Sequence, residues 1–599
     1  MNTIISGRID ALRGAMQKAG ISAVIVPQTD AHQSEYLAEH WQVRKWLSGF
    51  TGSAGTLVVT LNEAYLWADS RYFIQAARQL AETGIELMKD GLPDTPSIES
   101  WLCSNLESGS TVGVDGMLFS VSAVSALKGA LSAAGLTLDT CFAPIDEIWT
   151  DRPALPDDAI FLHDDKYAGE SAASKVKRVL AAAAGHGANG VFVSALDEIA
   201  WVLNVRSSDV AYNPVATAFL YLNAENSTLF TDEKKVDDKV RAYLSATGID
   251  VAPYNSVSRF LALLPTDAKV YIEPAKTSCT LASIIGKHAV EGASLIAMPK
   301  AVKNLTQIAG VRQAMARDGV ALVKLFMEIE RALAAGETVT ELDVATLGTK
   351  YRSEGDFYVD DSFDMIAGYA DHGAIVHYSA TPSTSVALRR EGLLLVDSGA
   401  QYLDGTTDIT RTVALGEPTA QERQDFTLVM KGHIALAQAV FPEGTRGDQL
   451  DALARIALWQ HGLTYLHGTG HGVGHFLNVH EGPQSIRLNH VNVGLVPGMI
   501  TSNEPGLYRE GVHGIRCENL VLTVPAEVSN AEFGKFLRFE TLTLFPFDLS
   551  LFDTTLMSDE EIAWVNDYHA TVRTTLLPLL STAEQRSWLT AKTATLCRS

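Results

Sequence analysis

Two stretches of the sequence set carboxylates where β-strands ordinarily exclude them. In "LLLVDSGAQYLDGTTDITRTVALG" (393–416) an apolar run ends at Asp397, a β-branched run follows Asp408, and "LDG" (403–405) supplies turn chemistry between them. A reversal near 402–404 would set Asp397 and Asp408 roughly opposite each other on adjacent strands. Asp is disfavoured inside strands, and two close like charges repel unless a proton or a cation lies between them. Exposed turn-capping aspartates are the alternative, and the apolar surroundings of Asp397 weigh against it. The pattern recurs in "GMITSNEPGLYREGVHGIRCENLVLTV" (498–524), where Glu504 and Glu518 are symmetric about Gly511. Arg516 shares a strand face with Glu518 by the period of two. A surface Arg–Glu pair would account for that doublet, but not for the second carboxylate across the turn.

Between these hairpins lies "HGTGHGVGHF" (467–476). His467 and His471 have the i, i+4 spacing of a helical zinc motif. Gly468, Gly470 and Gly472 would each cost a helix about 1 kcal/mol, and the general-base Glu of that motif is absent. No Lys-Ser/Thr helix start follows, so a phosphate loop fails as well. In an extended chain the four glycines (468, 470, 472, 474) face one way, and His467, His471 and His475 face the other. Four carboxylates and one imidazole without cysteine suit hard or borderline divalent cations such as Mn²⁺, Co²⁺ or Zn²⁺. Two bridging carboxylates would hold two ions roughly 3.5–4 Å apart, the spacing of hydrolases that activate water between two metals.

The elements that must position these residues follow from pattern. With 599 residues, two to four domains are expected. "ISAVIVP" (21–27), "GTLVVT" (55–60) and "AYLWAD" (64–69) read as strands and 72–84 as a helix, which is α/β patterning. A Pro- and Asp-rich linker at 143–158 leads to a second α/β segment up to about 303. Its helix falls near 171–185, with strands at 190–195, 216–223 and 227–232. The two segments echo each other: "GTLVVTLNEAYLWADSR" can be laid beside "ATAFLYLNAENSTLFTDEK". An α+β region follows. A long amphipathic helix at about 306–334 is ended by Gly336, and another starts behind Thr340 with Asp343 placed for a capping box. Helices are expected at 419–440 and 447–461 between the strand regions, and the tail after 550 reads as helical. The net charge of −23 with no basic run argues against nucleic acid as a partner. No apolar run approaches the roughly 20 residues of a membrane span. The N-terminus reads as an amphipathic helix rather than a signal peptide. Five unclustered cysteines suggest reduced thiols in a cytoplasm.

The order Asp397, Asp408, His471, Glu504, Glu518 resembles the five-ligand set of the pita-bread metallopeptidases, which include methionine aminopeptidase, prolidase and aminopeptidase P (Xaa-Pro aminopeptidase). "HGTGHGVGHFLNVHEGP" (467–483), "NEPG" (503–506) and "GIRCENLVL" (514–522) are similar to aminopeptidase P. "IDEIWTDRPALP", "LDEIAWVLNVRSSD" (196–209), "RFETLTLFPFD" and "WVNDYH" are similar to its long, three-domain cytosolic form. The resemblance implies two creatinase-like N-terminal α/β domains (1–158 with the linker, and 159–304), a pita-bread catalytic domain (305–549) and a helical C-terminal extension (550–599). It implies two divalent ions, Mn²⁺ first with Zn²⁺ or Co²⁺ as alternatives. Asp408 and Glu518 would bridge them, Asp397 would complete one site, and His471 with Glu504 the other. A bridging hydroxide would attack the carbonyl of the first residue of an Xaa-Pro N-terminus. Glu504 would assist proton transfer, with His377 and His480 in the catalytic set. His377, in "GAIVHYSAT", would face the substrate and stabilise the tetrahedral intermediate. His467 and His480 would line the proline pocket, with Tyr508 and Arg516 nearby. His475 has no matching role; surface placement or a place behind the ligands are both open. A homodimer in the cytoplasm, acting on Xaa-Pro peptides away from membranes and nucleic acid, completes the implied picture. The alternatives are a prolidase restricted to Xaa-Pro dipeptides and a non-catalytic pita-bread peptide binder, though members of the latter kind lose ligands that this chain keeps. The sequence departs from the family in reading "VRSSD" (205–209) where members often read "LRGSD", which bears on peptide-length preference. It also reads "SNEPG" (502–506) where a Thr often stands first, and Ser502 keeps the hydroxyl there.

Overall fold

The structure is a computed structural model and describes residues 3–598. The chain divides into two compact units, one of residues up to 296 without 166–169, the other of 166–169 and 297 onward.

The first unit contains two six-stranded mixed sheets. In one, the strand order is Glu86–Lys89, Ala64–Ala68, Thr56–Thr60, Ala23–Val26, Thr111–Gly113, Thr137–Asp139. In the other it is Ile249–Pro253, Ser227–Thr231, Phe219–Asn223, Gly190–Val193, Val270–Ile272, Ala289–Glu291. Both run parallel, antiparallel, antiparallel, parallel, parallel across the sheet. The hairpins that echo each other in sequence therefore occupy the same position in each sheet. Ala23–Val26 is buried on both faces. Val24 and Val26 pack with Ile5, Leu12 and Met16 of helix Thr3–Ala19, while Ala23 and Ile25 pack with Leu127 and Leu131 of helix Val121–Ala133. The helix expected over 72–84 spans only Phe73–Gln79, because Glu82 and Gly84 both take positive φ.

In the second unit the 30-residue helix Leu305–Ala334 is closed at its start by an Asn304–Gln307 capping box. Gly336, at φ +74°, ends it, and Thr340 and Asp343 form the expected box on helix Glu341–Ser353. Strands Ile366–Tyr369, Leu393–Ser398 and Ile409–Ala414 form one sheet. A six-stranded sheet runs Val440–Pro442, Phe536–Thr541, Asn519–Ala526, Ile500–Asn503, Gly470–Gly472, Glu481–Ile486. The tail is not a separate layer: Val565, Val572 and Leu576 of helix Asp559–Leu576, and Leu589 of Ala583–Lys592, enter one core with Phe326, Ile329 and Phe426.

Backbone approach is close where the Asp397–Asp408 hairpin narrows. A Cβ on Gly399 would sit 2.0 Å from the Thr407 carbonyl oxygen and 2.2 Å from Ser362 Oγ, whereas one on Gly129, in a surface helix, meets nothing within 4 Å. Gly399→Ala should cost roughly 1–3 kcal/mol, read as a lower urea midpoint, while Gly129→Ala should be neutral or stabilising by up to about 1 kcal/mol.

Candidate metal centre

The first carboxylate hairpin is a continuous antiparallel ribbon. Asp397 pairs with Thr410 and Ser398 with Ile409, and beyond them Gln401 pairs with Thr406 and Tyr402 with Gly405. Asp408 therefore lies across from Gly399, not from Asp397. The offset of two residues leaves both aspartates on one face as diagonal neighbours. In the second hairpin Asn503 pairs with Asn519 and Gly506 with Arg516, so the symmetry of Glu504 and Glu518 about Gly511 holds.

His471 reaches the carboxylates from strand Gly470–Gly472, wedged between Ile500–Asn503 and Glu481–Ile486. A Cβ on Gly470 would lie 1.9 Å from the Ser502 carbonyl oxygen, and one on Gly472 2.3 Å from that of Glu481, so both flanking positions require glycine. The extended run is shorter than the sequence suggests. Gly474 N–H bonds the Asn478 carbonyl at 3.0 Å, Phe476 takes φ +50°, and His475 is buried, which removes its surface alternative. His471 Nδ1 is 2.9 Å from the Gly472 carbonyl, which can only accept, so Nδ1 carries the proton and Nε2 keeps its lone pair. Nε2 lies 3.3 Å from Glu504 Oε1 and 3.5 Å from Asp408 Oδ2. Ligand atoms of Asp408, His471 and Glu518 all fall within 4.8 Å of one another.

The electrostatics are those of a site made for cations. Burial, then the charges of Asp397 and Glu504, raise the Asp408 carboxyl well above its ordinary range. Glu518 is likewise raised well above its usual value, by burial and then by Asp408, Glu504 and Asp397. Glu504 is pushed up to about 7, chiefly by burial, with Arg516 opposing the shift. Asp397 Oδ1 and Glu518 Oε1 are buried and have no hydrogen-bond partner among the described residues. Unmet buried carboxylate oxygens beside the His471 imidazole fit divalent cations held by oxygen and nitrogen.

Around these candidate ligands the sequence-derived residues fall as follows. Arg516 is buried and pairs with Asp397 rather than Glu518: Nη2 donates to Asp397 Oδ2 at 2.6 Å and Nε at 3.2 Å, which overturns a surface Arg–Glu pair. Burial opposes its charge, yet Tyr508, Asp397 and Glu504 together hold its pKa well above normal. Arg516 Nη1 also donates to Tyr508 Oη at 2.8 Å. The phenol proton is thus left for His467 Nε2, 2.8 Å away, and His467 Nδ1–H donates to the Gly468 carbonyl at 2.8 Å. His480 sets its ring edge-to-face on His471 at 4.4 Å. His377 is half-buried just past turn Ala370–Ala374, which is seated on strand His513–Arg516 where Gly373 and Gly514 touch backbone to backbone.

Two hydroxyls support the site: Ser502, noted in the sequence only for keeping a hydroxyl, and Thr410, which the sequence reading missed. Ser502 Oγ accepts the His471 N–H at 2.9 Å and donates to Glu504 Oε1 at 3.1 Å, pinning two candidate ligands. Thr410 Oγ1 donates to Glu518 Oε2 at 2.8 Å and accepts from Arg516 Nε at 3.2 Å. Their signal was positional: each lies two residues from a carboxylate on a strand, on the same face.

Comparison with known proteins agrees with this geometry. Residues 8–148 and 151–307 each match the creatinase/prolidase N-terminal domain, 309–525 match metallopeptidase family M24, and 535–596 match the C-terminal region of peptidase M24. Aminopeptidase P2 of Arabidopsis thaliana is 41% identical, over 99% of this chain and 89% of its own length. The chain belongs to the aminopeptidase P family of M24 metallopeptidases. A probable Xaa-Pro aminopeptidase P of Coprinopsis cinerea is 39% identical over 98% of each chain. The crystal structure of X-prolyl aminopeptidase from Caenorhabditis elegans, a cytosolic enzyme with a di-nuclear active site, matches at TM-score 0.95 and 37% identity over 99% of both chains. The two creatinase-like domains followed by a pita-bread domain are thus the architecture of this aminopeptidase P family member.

The raised carboxyls fix a pH dependence. Glu504 binds its proton more tightly folded (about 7) than at its ordinary value of 4.5, so between those values the folded state holds more protons and stability falls as pH rises. Chelator-treated protein should melt at progressively lower temperature from about pH 5 to about pH 7, and Glu504→Gln should flatten that slope. Binding of a divalent cation should release protons over the same interval, countable by calorimetry in buffers of different ionisation enthalpy.

Proposed function

We propose that this chain is a metallo-exopeptidase that removes the first residue from peptides whose second residue is proline. The observation that carries the reading is the convergence of Asp397, Asp408, His471, Glu504 and Glu518 with unmet oxygens, in a chain matched end to end by the aminopeptidase P family. Asp408 and Glu518 would be shared between two divalent ions, with Asp397 on one side and His471 and Glu504 on the other. Mn²⁺ is proposed, with Zn²⁺ and Co²⁺ as the other candidates. Such a pair, when bound, polarises the scissile carbonyl and makes hydroxide available near neutral pH.

The remaining chemistry belongs to this chain's side chains. Glu504, oriented by Ser502 Oγ, is the group placed to take and return a proton. Arg516 holds Asp397 in place and, through Tyr508, fixes the hydroxyl and ring orientation of His467 on the proposed proline side. His480, packed on His471, lines the same side, and His377 supplies a donor to the developing oxyanion. A cytoplasmic location fits the C. elegans relative, described as cytosolic, and five free thiols, and a homodimer is proposed with it; no helix among the described residues is long and apolar enough to cross a membrane.

His471→Ala and Asp408→Asn should each lower turnover of an Xaa-Pro-Xaa tripeptide by more than about a hundredfold while the circular dichroism spectrum is kept. Near-normal turnover by either variant with metal supplied would reject the dimetal mechanism. Cleavage of Xaa-Pro dipeptides alone would instead mark a prolidase, and absence of bound metal with no gain on adding Mn²⁺ would mark a peptide binder. Light scattering should report a dimer.

A further inference from the structure

Directly behind Glu518 lies a buried cation whose guanidinium bonds no carboxylate among the described residues. Arg411 follows Thr410 on strand Ile409–Ala414, and its guanidinium crosses to the backbone of the second hairpin. Nη1 donates to the Thr410 carbonyl at 3.0 Å and the Glu518 carbonyl at 2.5 Å. Nη2 donates to Asn519 Oδ1 at 2.8 Å, the Phe545 carbonyl at 2.7 Å and Tyr568 Oη at 2.9 Å, and Nε to the Pro546 carbonyl at 3.1 Å. Its face rests on the Phe547 ring at 4.0 Å. Every acceptor is neutral.

A buried Arg whose hydrogen bonds all go to neutral acceptors is costly, and its planar fork suits it to fixing a geometry. Here the geometry is that of Glu518. The Glu518 N–H donates to the Thr410 carbonyl at 3.0 Å, its own carbonyl is held by Arg411, and its Oε2 by Thr410 Oγ1. The cage is closed from outside the sheet by one side chain of helix Asp559–Leu576. Tyr568 Oη accepts from Arg411 and passes its own proton to the Phe545 carbonyl at 2.9 Å or that of Thr543 at 3.0 Å. The next residue, His569, accepts the Phe547 N–H on Nε2 at 3.0 Å, so the helix grips the 545–547 segment at two consecutive residues.

We propose that Arg411, latched by Tyr568 of the C-terminal helix, is a positioning residue for the metal centre, so that the C-terminal extension sets divalent-cation affinity through Glu518. The proposal rests on the reading of Glu518 as a metal ligand. It makes the tail a working wall of the site rather than an appended layer.

Tyr568→Phe removes a single oxygen from the latch. Val565→Ala, on the same helix and in the same core, changes packing without touching any hydrogen bond of the cage and serves as the structural control. Full-length proteins are titrated with Mn²⁺ alone by equilibrium dialysis with metal analysis, alongside melting temperature and kcat measured against Mn²⁺ concentration. Tyr568→Phe should bind Mn²⁺ roughly 10- to 100-fold more weakly, with kcat largely restored at saturating Mn²⁺ and KM for peptide unchanged. Val565→Ala should melt earlier with Mn²⁺ affinity intact. If Tyr568→Phe does not fold, Arg411→Lys, which keeps the charge and loses the fork, should show the same weakened affinity. Wild-type affinity in the variant tested, or an equal loss in Val565→Ala, overturns the proposal while leaving the metal reading standing. A wild-type protein that binds no Mn²⁺ overturns both.

Discussion

The mutual repulsion of four buried carboxylates governs this structure. At about 4 Å two unit charges with an effective dielectric near 20 oppose each other by roughly 4 kcal/mol, and Asp397, Asp408, Glu504 and Glu518 act on one another's charge from two separate hairpins. The raised proton affinities of Asp408, Glu504 and Glu518 come first from burial and then from that repulsion. Left alone, the groups would separate. They stay because Asp397 lies in a strand and the other three lie between paired strand segments of fixed register, and because Arg516 places one full positive charge against Asp397.

Much of the second unit holds the carboxylate hairpins from behind. Helix Ala420–Ala437 clamps the second hairpin at tip and base. At the tip, Asp425 accepts from Arg509 at 2.6 and 2.8 Å and from His513 at 2.9 Å. Burial works against that carboxylate, but the Arg509 and His513 bonds hold it down at about 2. At the base, His433 meets the Cys517 carbonyl at 3.2 Å and its own carbonyl accepts from Asn503 Nδ2 at 2.9 Å, so both arms beside Glu504 and Glu518 are tied to one helix. Glu341 does similar service for the loop bearing His377. It accepts the Tyr369 and Val386 N–H groups at 2.9 and 3.1 Å, the Tyr378 hydroxyl at 2.9 Å and His372 Nδ1 at 2.9 Å, closing the loop at its two ends. Rigid elements with saturated support are what a site of fixed geometry needs.

The strand-borne carboxylates were legible because they violate a local rule: an Asp or Glu inside an apolar, β-branched run asks for a compensating group. The glycines around His471 were legible as slim backbone, and the structure sharpens why, since only Gly470 and Gly472 meet a neighbouring carbonyl in an extended segment. The first hairpin's register was not legible to within two residues, because its turn falls at Leu403–Asp404 and no strict two-residue turn signal marks it. Arg516 was read as Glu518's companion because a period of two sees only its own strand. Its partner Asp397 lies 119 positions away in sequence. Thr410, Glu341 and Arg411 were missed as supports for the same reason: their partners are set by sheet order and helix packing, which no local window contains.

The charge state of the wall behind Glu518 explains how one cation can act there undiluted. Two imidazoles stand close to Arg411 and neither adds to or cancels its charge. Burial, then Arg411 itself, lowers His433 to about 3 and His569 to about 4, so both are neutral at any working pH. Neutrality is also what their bonds demand. His433 Nδ1–H donates to the Cys517 carbonyl and leaves Nε2 to accept from Asn519 Nδ2 at 3.3 Å, while His569 Nε2 accepts a backbone N–H. Asn519, its amide oriented by His433, is then left with its oxygen toward Arg411. The proton positions of the whole wall thus follow from one fixed charge, and a lysine in its place could not satisfy the Glu518 carbonyl, Asn519 and Tyr568 together, because a point ammonium lacks the planar fork that spans them.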